Sequence, residues 1–115
     1  MKRKLGIKGE DMATEYLKKK GYKIITRNFY TRYGEIDIIC EKAGALVFVE
    51  VKTRRSTTYG TPEEAMTARK IEHFKKAALI YLDKEKRFFK ELQFDFIGIL
   101  IQAGDIEINH ITNAF

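Results

Sequence analysis

The sequence predicts a mixed α/β domain in which a central β-sheet is flanked by helices. Two segments place apolar residues at helical spacing, and several others have the alternation or β-branched composition of strands. A tight turn joins two of those strands. The 115 residues fit one domain, 1–115, with one core. The predicted order is α-β-β-β-α-β-β in a mixed sheet.

The first helix is predicted over about residues 6–20, because its apolar residues share one face. That face consists of Met12, Ala13, Tyr16 and Leu17. Gly21 follows three lysines, and glycine after a basic last turn is a typical helix stop. A strand over residues 22–29 is predicted next.

A β-hairpin is predicted from two strands, residues 33–41 and residues 46–52. With a two-residue loop at Ala43-Gly44, Lys42 pairs with Ala45, and this pairing sets the register of the whole hairpin. The following residues 53–60 form a polar, basic loop.

The second helix is predicted over residues 61–82. Thr61 suits the N-cap, Pro62 the first helical position, and Glu64 completes a capping box. The residues expected to be buried are Ile71, Phe74, Ala78 and Leu82. Residues 84–91 are left unassigned, and two strands are predicted at 92–101 and 106–111.

The charge of the chain is uneven. The sequence has 22 Lys+Arg against 16 Asp+Glu, a net charge of +6. Residues 1–57 carry 14 basic and 7 acidic side chains, whereas residues 58–115 carry 8 and 9. A basic front half predicts an anionic partner, most often nucleic acid. The alternative is a solvated basic face that confers solubility.

Several classes of protein are excluded. No apolar run approaches the ~18–20 residues of a membrane span, and the charges after the basic start leave no signal-peptide core. We therefore expect a cytoplasmic protein without a membrane partner. The single Cys40 excludes an internal disulfide and is expected to be a small buried hydrophobe. Neither His73 nor His110 has a second ligand at metal-binding spacing.

The hairpin carries the residues that suggest chemistry. Its register places Asp37 opposite Glu50, with Cβ atoms ~4.5–5.5 Å apart. Opposed carboxylates repel unless a divalent cation uses both as ligands. Lys52 shares the strand face of Glu50 and could stabilise developing negative charge. The alternative is a solvated strand face with ordinary cross-strand ion pairs.

Two further charged residues are expected to point inward. Glu10 lies at the edge of the apolar face of the first helix, whereas Asp11 lies on the solvent-exposed face. Lys70 shares a stripe with apolar residues of the second helix. Inward charges are costly unless paired, and pairing with the hairpin cluster would explain both. Glu35 shares the strand face of Asp37 and could substitute for it, but we interpret it as a surface charge.

A family resemblance follows from the order of these segments. They are Gly9-Glu10, Gly21-Tyr22, Arg27-Asn28-Phe29, Gly34-Glu35-Ile36-Asp37-Ile38-Ile39, Phe48-Val49-Glu50-Val51-Lys52-Thr53-Arg54 and Lys70. The pattern resembles the YraN family of predicted endonucleases over roughly residues 8–100. That family is similar to archaeal Holliday junction resolvases of the PD-(D/E)xK nuclease superfamily.

The resemblance implies a restriction-endonuclease-like fold and a set of site residues. Asp37 resembles the motif's acidic residue, although Ile36 stands where the motif has proline. Glu50 resembles the second metal ligand, Lys52 the catalytic lysine, and the Val51 carbonyl a further ligand. The implied set is completed by Glu10, which resembles a resolvase helix glutamate, and by Lys70, which resembles a residue often found near the active site.

The implied activity is hydrolysis of phosphodiester bonds in DNA, such as branched DNA in repair or recombination, with one or two Mg²⁺ (or Mn²⁺) ions. The basic side chains proposed to contact phosphates are Lys8, Lys18, Lys19, Lys20, Arg54 and Arg55. Tyr59 and Tyr33 could stack on a base, but we favour local packing for both.

Other functions stay open. The chain could be a non-catalytic nucleic-acid-binding module of the same fold. It could also be a small basic structural or RNA-associated protein that lacks an acidic cluster. By analogy with the resolvases, which are two-fold dimers, we expect a homodimer.

Overall fold

The computed structural model describes residues 4–115 and consists of one five-stranded mixed sheet with two helices. The strand order is β1-β2-β3-β4-β5, in which β3 and β4 are parallel and the other neighbours are antiparallel. The elements are α1 (Lys4–Lys19), β1 (Lys23–Thr31), β2 (Gly34–Lys42), β3 (Ala45–Arg54), α2 (Ala68–Lys84), β4 (Glu91–Gln102) and β5 (Asp105–Ile111). The predicted mixed α/β fold and its element order are confirmed.

The β2–β3 hairpin has the predicted turn. Ala43 (φ 51°) and Gly44 (φ 86°) both adopt left-handed conformations, as a type I′ turn requires. Lys42 pairs with Ala45, and the ladder continues as far as Ile38 and Val49. The predicted register is therefore confirmed over these pairs, and the ladder ends one position before Asp37 and Glu50.

Helix α1 ends at the predicted glycine. Gly21 has φ 93°, which lets the N–H of Tyr22 donate to the Leu17 carbonyl at 3.0 Å. The Gly21 N–H donates to the Lys18 carbonyl, also at 3.0 Å. These two bonds form a Schellman motif, which satisfies the last carbonyls of the helix and turns the chain into β1.

The core has two layers, one on each face of the sheet. Ala13 and Leu17 of α1 pack against residues of one sheet face, including Val47 and Val49. On the other face lies a second layer, in which α2 packs against an aromatic group. That layer contains Ile36, Ile39, Leu46, Phe48, Phe74, Ala77 and Ala78. The two helices therefore cover opposite faces of β3, the central strand.

The alternation of faces changes phase in the first antiparallel pair. Ile36 packs under α2 whereas Ile38 packs under α1, although strict period-2 alternation would put them on one face. The β1–β2 ladder pairs Phe29 with Ile36 and Arg27 with Ile38. Between these pairs lie Asp37 and Asn28, the latter in the left-handed region at φ 53°. At Asp37, therefore, the alternation of β2 side chains between the two sheet faces shifts by one residue.

The predicted start of the second helix is wrong. Thr61 and Glu64 do form a capping box, but it caps only the single 3₁₀ turn Glu63–Ala65. The α-helix begins at Ala68, where Thr67 is the N-cap and its hydroxyl accepts from the Lys70 N–H at 3.2 Å. Of the residues predicted to be buried, Phe74 and Ala78 are, whereas Ile71 and Leu82 are half-buried.

The segment whose structure is ambiguous from sequence, residues 84–91, is mostly an irregular connection between α2 and β4. It joins the hairpin turn through the Lys90 N–H, which donates to the Gly44 carbonyl at 2.8 Å. Phe89 packs on the core layer under α2, whereas Phe88 is exposed. Within residues 4–115, neither helix is long and apolar enough to cross a membrane.

Candidate metal centre

Three carboxylates from two elements meet beside the sheet. Glu10 of α1 and Glu35 and Asp37 of β2 each place an oxygen within 4.8 Å of the others. Glu10 and Asp37 are 2% exposed, and Glu35 is half-buried. Like charges at this separation disfavour one another, and a divalent cation bound between them would turn that repulsion into coordination. We name Glu10, Glu35 and Asp37 the acidic cluster.

Glu10 reaches the cluster because α1 lies unusually close to β3. A Cβ on Gly9 would overlap Oγ1 of Thr53, so any larger residue here would force Thr53 or α1 to shift. The helix therefore contacts β3 through bare backbone at Gly9. This contact brings the next residue, Glu10, over the end of the β2–β3 pairing.

The Glu10 carboxylate is oriented by two residues of β1. Its Oε1 accepts a hydrogen bond from Asn28 Nδ2 at 2.7 Å, and the Arg27 guanidinium lies 3.6 Å from the same oxygen. Arg27 also donates to the exposed Asp11 at 2.8 Å. The sequence indicates Arg27 and Asn28 only as part of the family pattern, because no local sequence signal predicts the left-handed backbone of Asn28.

Asp37 is held by the backbone of the neighbouring strand. Its Oδ2 accepts a hydrogen bond from the Val51 N–H at 2.8 Å. The β2–β3 ladder ends at Ile38 and Val49, so the carboxylate continues the contact between the strands where the ladder stops. The role of the Val51 carbonyl as a metal ligand stays a prediction.

Glu50 and Lys52 lie beside the acidic cluster, toward α2. Their side chains contact each other, with Lys52 Nζ 3.8 Å from Glu50 Oε2; the Lys52 side chain is 35% exposed and that of Glu50 15%. Glu50 lines a groove of about 150 Å³ between the sheet and α2. Glu35 also lines this groove, so one residue belongs to both the acidic cluster and the groove.

Two sequence interpretations of this region need correction. The interpretation of Glu35 as a surface charge is wrong, because it is half-buried and belongs to the acidic cluster. Lys70 lines the groove, but its side chain is exposed and donates to the Ala65 carbonyl at 3.1 Å instead of pointing inward. Its position in the first turn of α2 puts it at the open end of the groove.

The predicted phosphate-contacting residues fall into two groups. Lys18, Lys19 and Lys20 are exposed at the end of α1, and Lys18 lies eight residues beyond Glu10, about 12 Å along the helix axis. Lys8 and Arg55 are exposed and Arg54 is half-buried, all three close in sequence to site residues. Tyr59 is 94% exposed, so the local packing favoured for it is wrong, and its stacking on nucleic acid stays a prediction.

A separate buried polar group joins α1 to β4 and β5. Asp95 is fully buried, and its Oδ2 lies 2.8 Å from Nε2 of His110. An ionised carboxylate only accepts, so Nε2 carries the proton and the opposite nitrogen can accept from the Tyr16 hydroxyl at 3.1 Å. Burial, and to a smaller extent the charge of Asp95, raise the pKa of the nearby Cys40 thiol to about 12. Cys40 is buried as predicted.

The fold and the site together describe a small mixed α/β protein that carries a buried acidic cluster beside a groove. Comparison with known proteins then gives the family. Residues 9–99 match the family described as "Uncharacterised protein family UPF0102", and the chain belongs to that family. This is the YraN family whose pattern the sequence resembles.

Relatives in this family match along the whole chain. A UPF0102 protein of Syntrophomonas wolfei is 60% identical over 115 residues, which is 100% of both chains. A UPF0102 protein of Geobacter sulfurreducens is 47% identical, over 96% of this chain and 88% of its own length. Another from Caldicellulosiruptor saccharolyticus is 43% identical, over 99% and 98%.

Proposed function

We propose that this protein is a metal-dependent endonuclease that hydrolyses phosphodiester bonds in DNA, with branched DNA as its preferred substrate. The observation that carries the proposal is the acidic cluster, because three carboxylates within 4.8 Å, two of them buried, adjoin an open groove. The order of the site segments, which resembles the PD-(D/E)xK nucleases, supports the same activity.

The donor set of the acidic cluster fits a hard divalent cation. Mg²⁺ and Mn²⁺ prefer carboxylate oxygens, and Glu10, Glu35 and Asp37 each offer one. The chemistry that such an ion supplies when bound is Lewis-acid activation of the phosphodiester and of water. Glu35 joins this set because of its position, in addition to the residues that the family resemblance implies.

The other residues of the site have distinct roles in the proposal. Glu50 lies in the groove next to Glu35, where it would be a further ligand of the ion, as the family resemblance implies. Lys52 presents an ammonium 3.8 Å from Glu50 and could stabilise negative charge that develops on the phosphate. Asn28 and Arg27 keep the Glu10 carboxylate directed toward the cluster.

The test is a cleavage assay with purified protein on a four-way junction, a flap, a linear duplex and a single strand, with Mg²⁺, Mn²⁺ or EDTA. We expect ion-dependent cleavage, strongest on the branched substrates, that Asp37→Asn and Glu50→Ala abolish. Asp105→Asn is the matched control, because Asp105 is exposed at the start of β5. Lack of cleavage of every substrate by the wild type would refute the proposal.

A non-catalytic binding module of the same fold is the competing function. DNA binding that needs no divalent ion, is unchanged in Asp37→Asn and is accompanied by no cleavage would favour it.

A further inference from the structure

Cationic side chains surround the mouth of the groove on the α2 side. The groove is lined by Glu35 and Glu50 on its sheet side and by Lys70 and His73 of α2 on the opposite side. Tyr33, in the β1–β2 turn, lies at the same mouth. One wall of the groove is therefore acidic, and the facing wall carries basic and titratable side chains.

Tyr33 brings two further cations to this mouth. The Arg32 guanidinium lies 5.0 Å from the centre of the Tyr33 ring, and Lys76 Nζ lies 5.3 Å from it. The His73 ring is 6.0 Å from the Tyr33 ring, and Arg32 donates to the Tyr33 hydroxyl at 3.2 Å. Each cation–π contact is worth ~0.5–1 kcal/mol at an exposed site. We name Arg32, Tyr33, Lys70, His73 and Lys76 the α2 rim.

The two cations on the Tyr33 ring reinforce each other's field. Their distances from one ring centre place Arg32 and Lys76 within about 10 Å of each other, close to the Debye length at physiological salt. Lys76 also pairs with Glu72 at 3.2 Å, but both side chains are well exposed and such pairs are weak. A polyanion can therefore displace this ion pair at little cost.

The net positive charge of α2 is not apparent from the overall charge of the second half of the chain. Residues 58–115 have a small net negative charge, yet Ala68–Lys84 contains five Lys or Arg against two acidic residues. In contrast, the lysines at the end of α1 begin about 12 Å beyond Glu10 along the helix. The α2 rim, rather than those lysines, borders the groove that contains Glu35 and Glu50.

We propose that the α2 rim binds the sugar–phosphate backbone of the DNA strand that is cut, and so directs a phosphodiester toward Glu35 and Glu50. This inference rests on the proposed function, because it names the surface that receives the substrate. Phosphate contacts of this kind supply affinity and position without reading sequence.

The test is DNA affinity in EDTA, so that binding is measured without ion-dependent cleavage. An Arg32→Ala/Lys76→Ala double variant is compared with Lys18→Ala/Lys19→Ala, which removes the same charge from the end of α1, where the sequence predicts phosphate contacts, so that the test decides between these two surfaces. The probe is a fluorescein-labelled four-way junction, titrated at several salt concentrations. We expect the rim variant to bind about tenfold or more weaker, with a salt slope reduced by up to ~2, and the α1 variant to bind within about threefold of wild type.

Tyr33 supplies a second comparison. Tyr33→Phe keeps the ring beneath both cations and is expected to bind within about twofold of wild type, whereas Tyr33→Ala is expected to lose about fivefold. Thermal melting of each variant checks that it is folded.

The outcomes separate this inference from the proposed nuclease activity. Equal weakening by the two double variants, a larger effect of the α1 variant, or no DNA binding even at low salt would overturn the α2 rim. Rim-dependent binding by a wild-type protein that cuts nothing would support the rim and refute the nuclease. Cleavage by the wild type, together with a rim variant that binds DNA as tightly as wild type, would support the nuclease and refute the rim.

Discussion

Asp37 Oδ2 accepts a hydrogen bond from the Val51 N–H at 2.8 Å, which ties the acidic cluster to the strand that carries Glu50 and Lys52. The carboxylate has two roles in consequence. It satisfies a buried backbone donor, and it contributes negative charge to the cluster. Substitutions at Asp37 can separate these roles.

We expect Asp37→Asn to fold nearly as stably as wild type in EDTA, because the amide oxygen can still accept from Val51 and one of three clustered charges is removed. Asp37→Ala should lose about 1–3 kcal/mol, since the buried Val51 N–H is left without this acceptor. Urea unfolding measures both. Equal stability of the two variants would show that the hydrogen bond contributes nothing.

Divalent ions should stabilise the folded protein through the acidic cluster. Mn²⁺ at 100 times its dissociation constant raises the free energy of unfolding by about 2.7 kcal/mol if it binds only the native state. We expect this shift in wild type and in Glu107→Gln, an exposed control, and a much smaller shift in Glu35→Gln. Thermal melting with and without Mn²⁺ measures it. An undiminished shift in Glu35→Gln would remove Glu35 from the ion site.

Gly9→Ala should destabilise the protein by about 1–3 kcal/mol, because the new Cβ overlaps Thr53 Oγ1 and α1 must move away from β3. Gly6→Ala is the control in the same helix. Its Cβ meets no neighbour within 4 Å among residues 4–115, so it should be neutral or stabilise by up to ~1 kcal/mol. Urea unfolding compares the two, and Thr53→Ala should partly rescue Gly9→Ala. Similar effects of the two glycine substitutions would contradict the close contact.

Loss of the Asp95–His110 pair should be costly. Asp95 is fully buried and also accepts from the Asn113 N–H at 3.1 Å and from Gln93 Nε2 at 3.5 Å, so Asp95→Ala leaves three groups without this acceptor. We expect a loss of about 3–5 kcal/mol, as for other broken buried pairs. His73→Ala, on the half-exposed face of α2, should change stability far less than His110→Ala. A double-mutant cycle between Asp95 and His110 measures their coupling, and additive effects would argue against it.

Cys40 should make stability fall at alkaline pH. Its thiol pKa is raised in the folded state from 9.0 to about 12, so between these values the unfolded chain loses the proton and the native chain keeps it. The stability of wild type relative to Cys40→Ala should therefore be constant below pH 9 and fall by about 1.4 kcal/mol per pH unit above it. Urea unfolding from pH 7 to 10 measures this difference. A flat difference would mean that the thiol ionises equally in both states.

The hairpin register could be predicted because a short turn determines it locally. Ala43 and Gly44 set the pairing of Lys42 with Ala45, and the rest of the ladder follows. The helix start could not be predicted in this way, because the chain offers two similar signals, at Thr61 and at Thr67. Only the packing of α2 on the sheet decides that the first caps a 3₁₀ turn and the second begins the helix.

The site was only partly accessible from sequence for a related reason. Spacing on one helix face placed Glu10 at the edge of the core, where it is found. The proximity of Glu35 to Glu10 depends on α1 crossing close to β3 at Gly9. The grouping of cations in the α2 rim depends on a tertiary contact between Tyr33 and α2. Such contacts join distant segments, and no local pattern reports them. DNA cleavage, the bound ion, the homodimer and the cytoplasmic location stay predictions.

The change of phase at Asn28 and Asp37 has a mechanical consequence. Because the alternation shifts at this point, Asp37 lies between Ile36, which packs under α2, and Ile38, which packs under α1. An ion held there would link the two sides of the sheet, because Glu10 connects it to α1 and Glu35 connects it to the groove under α2. Occupancy would then slow amide hydrogen exchange in both helices, including α2, which contributes no carboxylate to the cluster.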